Sequence, residues 1–152
     1  MTRPCEPTRK PLLCSEITGT VLNGFHVSYD RLGFGFLETV YRRALAMELR
    51  GFGLNVIEEA GIEVWYGGTP IGRYRADLLV ENQVIVEIKT GRAFVDADRK
   101  QLLNYLRASE LEVGLLLLFG YKPEFKRLVF ENSRKPALRT GTAPLEPPFP
   151  PR

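Results

Sequence analysis

The chain has 152 residues, of which 44% are hydrophobic and 26% are charged. This composition is typical of a single globular domain with a modest core, and it excludes fibrous and disordered proteins. The net charge of +3 is compatible with an acidic partner such as nucleic acid but does not identify one. The longest apolar run, Val113–Phe119, is far shorter than the ~20 residues of a membrane span, and no signal-peptide core is visible. We therefore expect a cytoplasmic protein that has no membrane partner.

The first part of the chain predicts an arm followed by two helices. Residues 1–16 mix Pro, Thr, Arg and Lys without periodicity, which indicates a flexible N-terminal arm. Apolar residues then recur at helical spacing from Ile17 onward, and Gly33 is a helix stop signal. A second helical repeat covers residues 36–51.

The middle of the chain has the alternating pattern of β-strands. A strand begins near Ile57, and residues 62–66 alternate between apolar and polar side chains. From Ile71 the chain enters a predicted β-hairpin, with strands at residues 75–80 and 84–89 and a turn at residues 81–83, where an asparagine tolerates the left-handed backbone conformation. The sequence thus predicts about three antiparallel strands in succession.

Two acids and a lysine interrupt this otherwise apolar hairpin. If Val80 and Val84 flank the turn, Asp77 lies opposite Glu87, with Cβ atoms roughly 4.5–5.5 Å apart. Because side chains alternate between the faces of a strand, Lys89 projects beside Glu87. Such a cluster is stable mainly when a cation neutralises the acids or the lysine bridges them, and both arrangements recur at hydrolytic sites. The alternative is a surface ladder of salt bridges, which is ordinary on an exposed sheet face.

The remaining segments complete an α/β fold. An amphipathic helix over residues 96–109 precedes Val113–Phe119, an apolar strand buried on both faces. Residues 127–130 have the pattern of a short edge strand, and residues 133–152 predict a disordered, proline-rich tail. Residues 17–132 therefore form one domain, in which a mixed central β-sheet is flanked by α-helices.

Several segments together resemble one protein family. Asp77 followed by Glu87-Ile-Lys89 is similar to the D…ExK core of the PD-(D/E)xK nuclease superfamily, and residues 35–41 resemble the G-x-x-E-x-x-Y signature of a small prokaryotic branch, the GxxExxY proteins. Further blocks agree with that branch in order and spacing, namely residues 74–77, 86–89, 101–106 and 113–120. The resemblance covers about residues 17–132, and it implies a restriction-endonuclease-like core that hydrolyses phosphodiester bonds in DNA or RNA.

The resemblance also implies a metal site. Mg²⁺, or Mn²⁺ in its place, prefers oxygen ligands, and one or two carboxylates are often sufficient. The implied ligands are Asp77, Glu87, the backbone carbonyl of Ile88 and, if helix two packs across the hairpin, Glu38. Lys89 would position the attacking water or offset negative charge in the transition state.

Other positions are accessory or depart from the family pattern. The resemblance implies that Gln101 orients water or backbone at the site, so the expected catalytic residues are Asp77, Glu87, Lys89 and Gln101. Tyr41 and Tyr105 have the spacing of residues that pack in a core. Gly33-Phe-Gly35 stands where many members have Gly-Pro-Gly, and Asp98 stands where many have a histidine, which makes that rim more acidic.

Three functions fit these observations. The first is a Mg²⁺-dependent nuclease acting on DNA or RNA. The second is a module that keeps the nuclease fold and binds nucleic acid or a protein partner without efficient catalysis, which the weak net charge favours. The third is an assembly protein in which helices and an exposed edge strand form a homodimer, although a homodimer is compatible with all three.

Overall fold

The structure, a computed structural model, describes residues 14–138. Within this range the chain forms α1 (Ser15–Leu32), α2 (Glu38–Gly51), β1 (Val56–Tyr66), β2 (Thr69–Val80), β3 (Val84–Thr90), α3 (Asp96–Arg107), β4 (Val113–Phe119), β5 (Pro123–Val129) and two short 3₁₀ helices, η1 (Asn132–Arg134) and η2 (Pro136–Leu138). Most of the predicted arm and of the predicted tail lies outside the described residues. Of the helices in residues 14–138, none combines the length and the apolar character that crossing a membrane needs.

The five strands form one mixed sheet in the order β1-β2-β3-β4-β5. β1, β2 and β3 are antiparallel neighbours, β3 and β4 are parallel, and β5 returns antiparallel to β4. Adjacent parallel strands need a crossover connection, and α3 provides it between β3 and β4. The predicted α/β fold with a mixed sheet and flanking helices is therefore confirmed.

The helices α1 and α2 cover one face of the sheet. They approach each other closely at Gly24, where a Cβ atom would lie 2.8 Å from Leu49 Cδ2. Val84, Val86 and Ile88 of β3 pack in this core, as predicted. The residues between them in β3 consequently face the other side of the sheet. The largest buried side chains that the helices contribute are Ile17, Val21, Phe25, Tyr41, Leu45 and Leu49.

The helix α3 covers the opposite face. Its buried residues Leu102 and Leu106 pack in a second core with Ile85 and Leu116 of the sheet. The helix lies close to β4 at Gly114, where a Cβ atom would be 2.9 Å from Leu102 Cδ2. Every residue of β4 is buried, which confirms the prediction of a strand covered on both faces.

Several element boundaries differ from the predictions. β1 is one strand of 11 residues, because β2 extends beside it for 12 residues and the two form one long hairpin. β5 begins at Pro123 rather than at residue 127. α2 begins at Glu38 rather than at residue 36, so Phe36 and Leu37 precede the helix and are exposed.

The ordered chain also continues past the boundary predicted at residue 132. The side chain of Lys135 is buried and donates hydrogen bonds to the carbonyl oxygens of Ser109, at 2.8 Å, and Leu111, at 2.6 Å. Burial lowers the pKa of Lys135 to about 8. These hydrogen bonds hold the 3₁₀ segment against the connection between α3 and β4.

Candidate active site

The turn between β2 and β3 sets the position of the two acids. Val80 pairs with Val84 across the turn, which confirms the predicted register. The backbone ladder continues from there and ends at Leu78. One position further along, where Asp77 and Glu87 meet, side-chain oxygens take the place of backbone carbonyls as acceptors.

Each acid is held by the strand that carries the other. Asp77 Oδ2 accepts a hydrogen bond of 2.7 Å from the backbone N–H of Ile88, and Glu87 Oε1 accepts one of 3.3 Å from the backbone N–H of Asp77. Within residues 14–138, no donor bonds to the second oxygens, Asp77 Oδ1 and Glu87 Oε2. The site therefore presents two fixed carboxylates, each with one oxygen available to a ligand.

The alternation of side chains between the two faces of β2 shifts by one residue at Asp77. Tyr74 and Ala76 pack on the α3 side of the sheet, whereas Leu78 packs on the side of α1 and α2. The ladder between β1 and β2 omits the pair of Asp77 with Glu59, and Glu59 has a φ of 51°. The regular alternation of a strand is interrupted here, and this interruption places Tyr74 on the same face as Glu87.

Tyr74 holds Glu87 in place, a role that the sequence pattern does not predict. Its hydroxyl donates a hydrogen bond to Glu87 Oε1. Its ring stacks on Tyr105 of α3, with centroids 3.5 Å apart and planes 7° from parallel. Strict alternation puts Tyr74, three positions before Asp77, on the opposite face, so the sequence pattern argued against this contact.

Lys89 is paired with α3 rather than with the two acids. Its Nζ lies 3.6 Å from Asp98 Oδ1, while Asp98 Oδ2 accepts a 3.2 Å hydrogen bond from the backbone N–H of Val95. Burial raises the pKa of both Glu87 and Glu38, and the charge of Lys89 opposes this rise at each of them. Asp98 was expected only to make the rim acidic, and its contact with Lys89 depends on the packing of α3.

Burial raises the pKa of Glu87 to about 7, and the Asp77 carboxylate adds to this rise. The hydrogen bonds from Tyr74 and from the Asp77 N–H, together with Lys89, oppose it. Burial and the neighbouring carboxylate together outweigh the groups that stabilise the charged form of Glu87. A cation between the two acids would relieve this imbalance.

Glu38 is the first residue of α2 and lies at the rim of the site. Burial raises its pKa; Asp77 and Asp98 raise it further, whereas Lys89 and the backbone N–H of Thr90 lower it. Even so, no three His, Cys, Asp or Glu side chains within residues 14–138 converge closely enough to form one metal-binding group. The structure therefore brings Asp77 and Glu87 together, but Glu38 is not close enough to share one metal ion directly with them.

Gln101 lies on the exposed side of α3. It shares a shallow surface of α3 with Ala97, Lys100, Asn104 and Tyr105. Tyr105 connects this surface to the acids, because it stacks on Tyr74, which donates a hydrogen bond to Glu87. The predicted catalytic glutamine is thus next to the site without a direct hydrogen bond to either acid among the described residues.

Tyr41 has the packing role that its spacing indicates. Its ring is buried and stacks on Phe119 with centroids 4.1 Å apart. Its hydroxyl donates to the carbonyl of Gly33 at 2.6 Å and accepts from the N–H of Phe36 at 3.2 Å. Tyr41 therefore fixes the loop that leads into Glu38.

The family model for the PD-(D/E)XK nuclease superfamily matches residues 15–128, which is most of the chain. The chain belongs to the PD-(D/E)XK nuclease superfamily. Asp77, Glu87 and Lys89 all lie within the matched residues. The mixed five-stranded sheet with three helices is consistent with the restriction-endonuclease-like core of this superfamily.

Solved and curated proteins add little beyond the superfamily. The structure titled "Crystal structure of SSO0001" is 21% identical to this PD-(D/E)XK chain, with a TM-score of 0.48. The match covers 82% of this chain and 63% of SSO0001, so this chain spans less than two thirds of that protein. The comparison with curated proteins finds no match.

Proposed function

We propose that this protein is a nuclease that hydrolyses phosphodiester bonds in DNA or RNA with a bound Mg²⁺ or Mn²⁺ ion. One observation carries the proposal: Asp77 and Glu87 are held on neighbouring strands, and each has one oxygen that accepts no hydrogen bond from residues 14–138. Membership of a nuclease superfamily supports it. A pair of open carboxylate oxygens is the donor set that a hard divalent cation prefers.

The ligands of the proposed ion are Asp77, Glu87 and the backbone carbonyl of Ile88. The carboxyl group of Glu38 interacts electrostatically with Asp77 and Lys89. Within residues 14–138, however, it does not form a group of three metal-binding side chains with Asp77 and Glu87. We therefore assign it to the ion through a bound water, since Mg²⁺ keeps several waters in protein sites. When bound, such a cation polarises a phosphate oxygen and lowers the pKa of a coordinated water.

The other residues position the reactants. Tyr74 fixes the orientation of Glu87 through its hydroxyl. Lys89 offsets the negative charge that develops on the phosphate in the transition state. Gln101, on the adjacent exposed surface of α3, orients the substrate backbone or the attacking water.

We also assign the chain to the GxxExxY branch. The signature residues act on the same loop. Gly35 has a φ of 110°, and the hydroxyl of Tyr41 forms hydrogen bonds with the backbone on both sides of it. Together they place Glu38 at the start of α2, beside the site. The signature thus supports a rim position for Glu38.

The contact between Lys89 and Asp98 favours a second candidate function. An acid of α3 competes with phosphate for the lysine, so the protein would bind nucleic acid and cleave it slowly or not at all. The substitution Asp98→Asn separates the two functions. Faster metal-dependent cleavage in this variant indicates a restrained nuclease, whereas no cleavage in either protein together with nucleic-acid binding indicates a binding module.

The main experiment measures cleavage of labelled single-stranded and duplex DNA and RNA with Mg²⁺, Mn²⁺ or EDTA. We expect metal-dependent cleavage by wild type and its loss in Asp77→Asn, Glu87→Gln and Lys89→Ala. Met47→Ala is the control, because Met47 is 72% exposed on α2. Cleavage that persists in Asp77→Asn would contradict the assignment.

Metal binding can be tested without catalysis. Calorimetric titration with MgCl₂ is expected to show a binding event in wild type that Asp77→Asn weakens at least tenfold. The substitution removes one of only two charged ligands, and the affinity for hard cations depends on the number of ligand charges. Undiminished affinity in Asp77→Asn would place the ion elsewhere.

A further inference from the structure

Two aromatic rings stand exposed beside the candidate site. Phe34 is 57% exposed and Tyr121 is 58% exposed, and their ring centroids are 4.6 Å apart. They come from distant parts of the chain, the loop before α2 and the connection after β4. We call this pair the aromatic platform. A single exposed aromatic residue is ordinary, but two rings in contact form a continuous apolar surface.

The platform lies at the carboxyl ends of the parallel strands β3 and β4. The two chain segments meet there, because a Cβ atom on Gly120 would lie 2.5 Å from the carbonyl oxygen of Gly91. The hydroxyl of Tyr29 also donates a 2.6 Å hydrogen bond to the carbonyl of Gly120 and fixes the segment before Tyr121. Thr90, at the end of β3, interacts with the Glu38 carboxylate. The platform therefore adjoins the rim of the proposed active site.

Positive charge accompanies the rings. The guanidinium carbon of Arg92 lies 6.0 Å from the centroid of the Tyr121 ring, and both Arg92 and the adjacent Lys122 are exposed. Aromatic faces that stack bases, combined with cations that contact the backbone, are the means by which proteins bind single-stranded nucleic acid. The cation beside the Tyr121 ring, in a chain of a nuclease superfamily, favours a nucleic-acid strand as the occupant of this surface.

We propose that Phe34 and Tyr121 stack unpaired bases of a single-stranded nucleic acid, whose phosphates Arg92 contacts beside the site. Bases inside a duplex are already stacked on one another, so only a single strand, an overhang or a frayed end presents free base faces. The direction of the strand toward Asp77 and Glu87 rests on the proposed nuclease function. The stacking itself does not.

Binding is measured by fluorescence anisotropy in EDTA, so that cleavage cannot occur. The probes are a labelled single-stranded DNA, the matching RNA and the blunt duplex. We expect Phe34→Ala and Tyr121→Ala each to weaken single-strand binding by about 5- to 150-fold, the range found for removal of a stacking ring. Tyr121→Phe keeps the ring and is expected to bind like wild type. Met47→Ala, which removes an exposed apolar side chain outside the platform, is the matched control.

The phosphate contact has its own measurement. Arg92→Ala is expected to lower the slope of log affinity against log salt concentration by about 0.7 for a single strand, because one phosphate contact is lost. An unchanged slope would remove Arg92 from the interface. A ratio of DNA to RNA affinity near one is expected, since every base presents a stackable face.

The outcomes separate this inference from the proposed function. Metal-dependent cleavage with unchanged single-strand affinity in both alanine variants overturns the stacking role and leaves the nuclease standing. Weakened single-strand binding without any cleavage by wild type supports the stacking role and contradicts the nuclease. Equal losses for single strand and duplex overturn the preference for unpaired bases. Sedimentation velocity tests a further outcome. If wild type self-associates and Tyr121→Ala abolishes this without changing the affinity for nucleic acid, the platform is a dimer surface instead.

Discussion

The carboxyl group of Glu87 should make the stability of the metal-free protein depend on pH. Burial and the neighbouring Asp77 raise its pKa from an ordinary 4.5 to about 7 in the folded state. Below pH 4.5 the group is protonated in both folded and unfolded chains and has no effect on stability. As the pH rises from there through about 7, the unfolded chain loses this proton more readily, so the folded state is progressively destabilised. At 1.36 kcal/mol for each pKa unit, the difference between about 7 and 4.5 amounts to about 3 kcal/mol above pH 7.

The substitution Glu87→Gln removes this titration but keeps the side-chain shape. The amide oxygen can still accept the hydrogen bonds from Tyr74 and from the Asp77 N–H. We therefore expect the variant to be more stable than wild type by about 2–3 kcal/mol at pH 8, and by less than about 1 kcal/mol at pH 4.5.

The assay is urea unfolding in EDTA across this pH range, followed by circular dichroism. Glu63→Gln is the control, because it makes the same change of charge at an exposed position of β1. A difference between wild type and Glu87→Gln that does not change with pH would contradict the raised pKa of Glu87. So would a variant that is less stable than wild type at pH 8.

Three further predictions concern the Tyr74 hydroxyl, the packing at Gly120 and the protons released when Mg²⁺ binds. Tyr74→Phe removes the hydroxyl that donates a hydrogen bond to Glu87 but keeps the ring stack. The free energy of unfolding at pH 8 should fall by about 1.5–3 kcal/mol, as for a hydrogen bond to a charged group. A fall of less than about 0.5 kcal/mol would contradict this hydrogen bond. Gly120→Ala should destabilise the folded protein by about 1–3 kcal/mol, because the added Cβ meets a backbone carbonyl oxygen. Gly19→Ala is the control in α1, where the added Cβ has open space, and it should stabilise the protein by about 0.5–1 kcal/mol. Equal effects of the two substitutions in urea unfolding would contradict the crowding at Gly120. Binding of Mg²⁺ near pH 7 should release protons from Glu87, seen as a dependence of the calorimetric enthalpy on the buffer, and the release should vanish in Glu87→Gln.

The sequence predicts those parts of the site that depend on local periodicity. Alternation in β3 assigns Val86 and Ile88 to the core and leaves Glu87 and Lys89 on the other face. A three-residue turn after Val80 then fixes the register between the two strands. Both inferences need only the strand period and the length of the turn, and this is why they agree with the structure.

The remaining features depend on packing that no local pattern records. The change of facing at Asp77 accompanies an unusual backbone conformation at Glu59, in a different strand. It brings Tyr74 to Glu87, against the alternation. The contact of Lys89 with Asp98 requires the position of α3 over the sheet, which depends on close packing at Gly114.

The most direct test of the account is the position of a bound metal ion. Crystals soaked with MnCl₂ and measured near the manganese absorption edge would show the ion as an anomalous peak. We expect one peak between Asp77 Oδ1 and Glu87 Oε2, at roughly 2.0–2.3 Å from both oxygens, near the distance typical of Mg²⁺ sites. A peak at another set of residues, or no peak in protein that cleaves nucleic acid with Mn²⁺, would contradict the proposed active site.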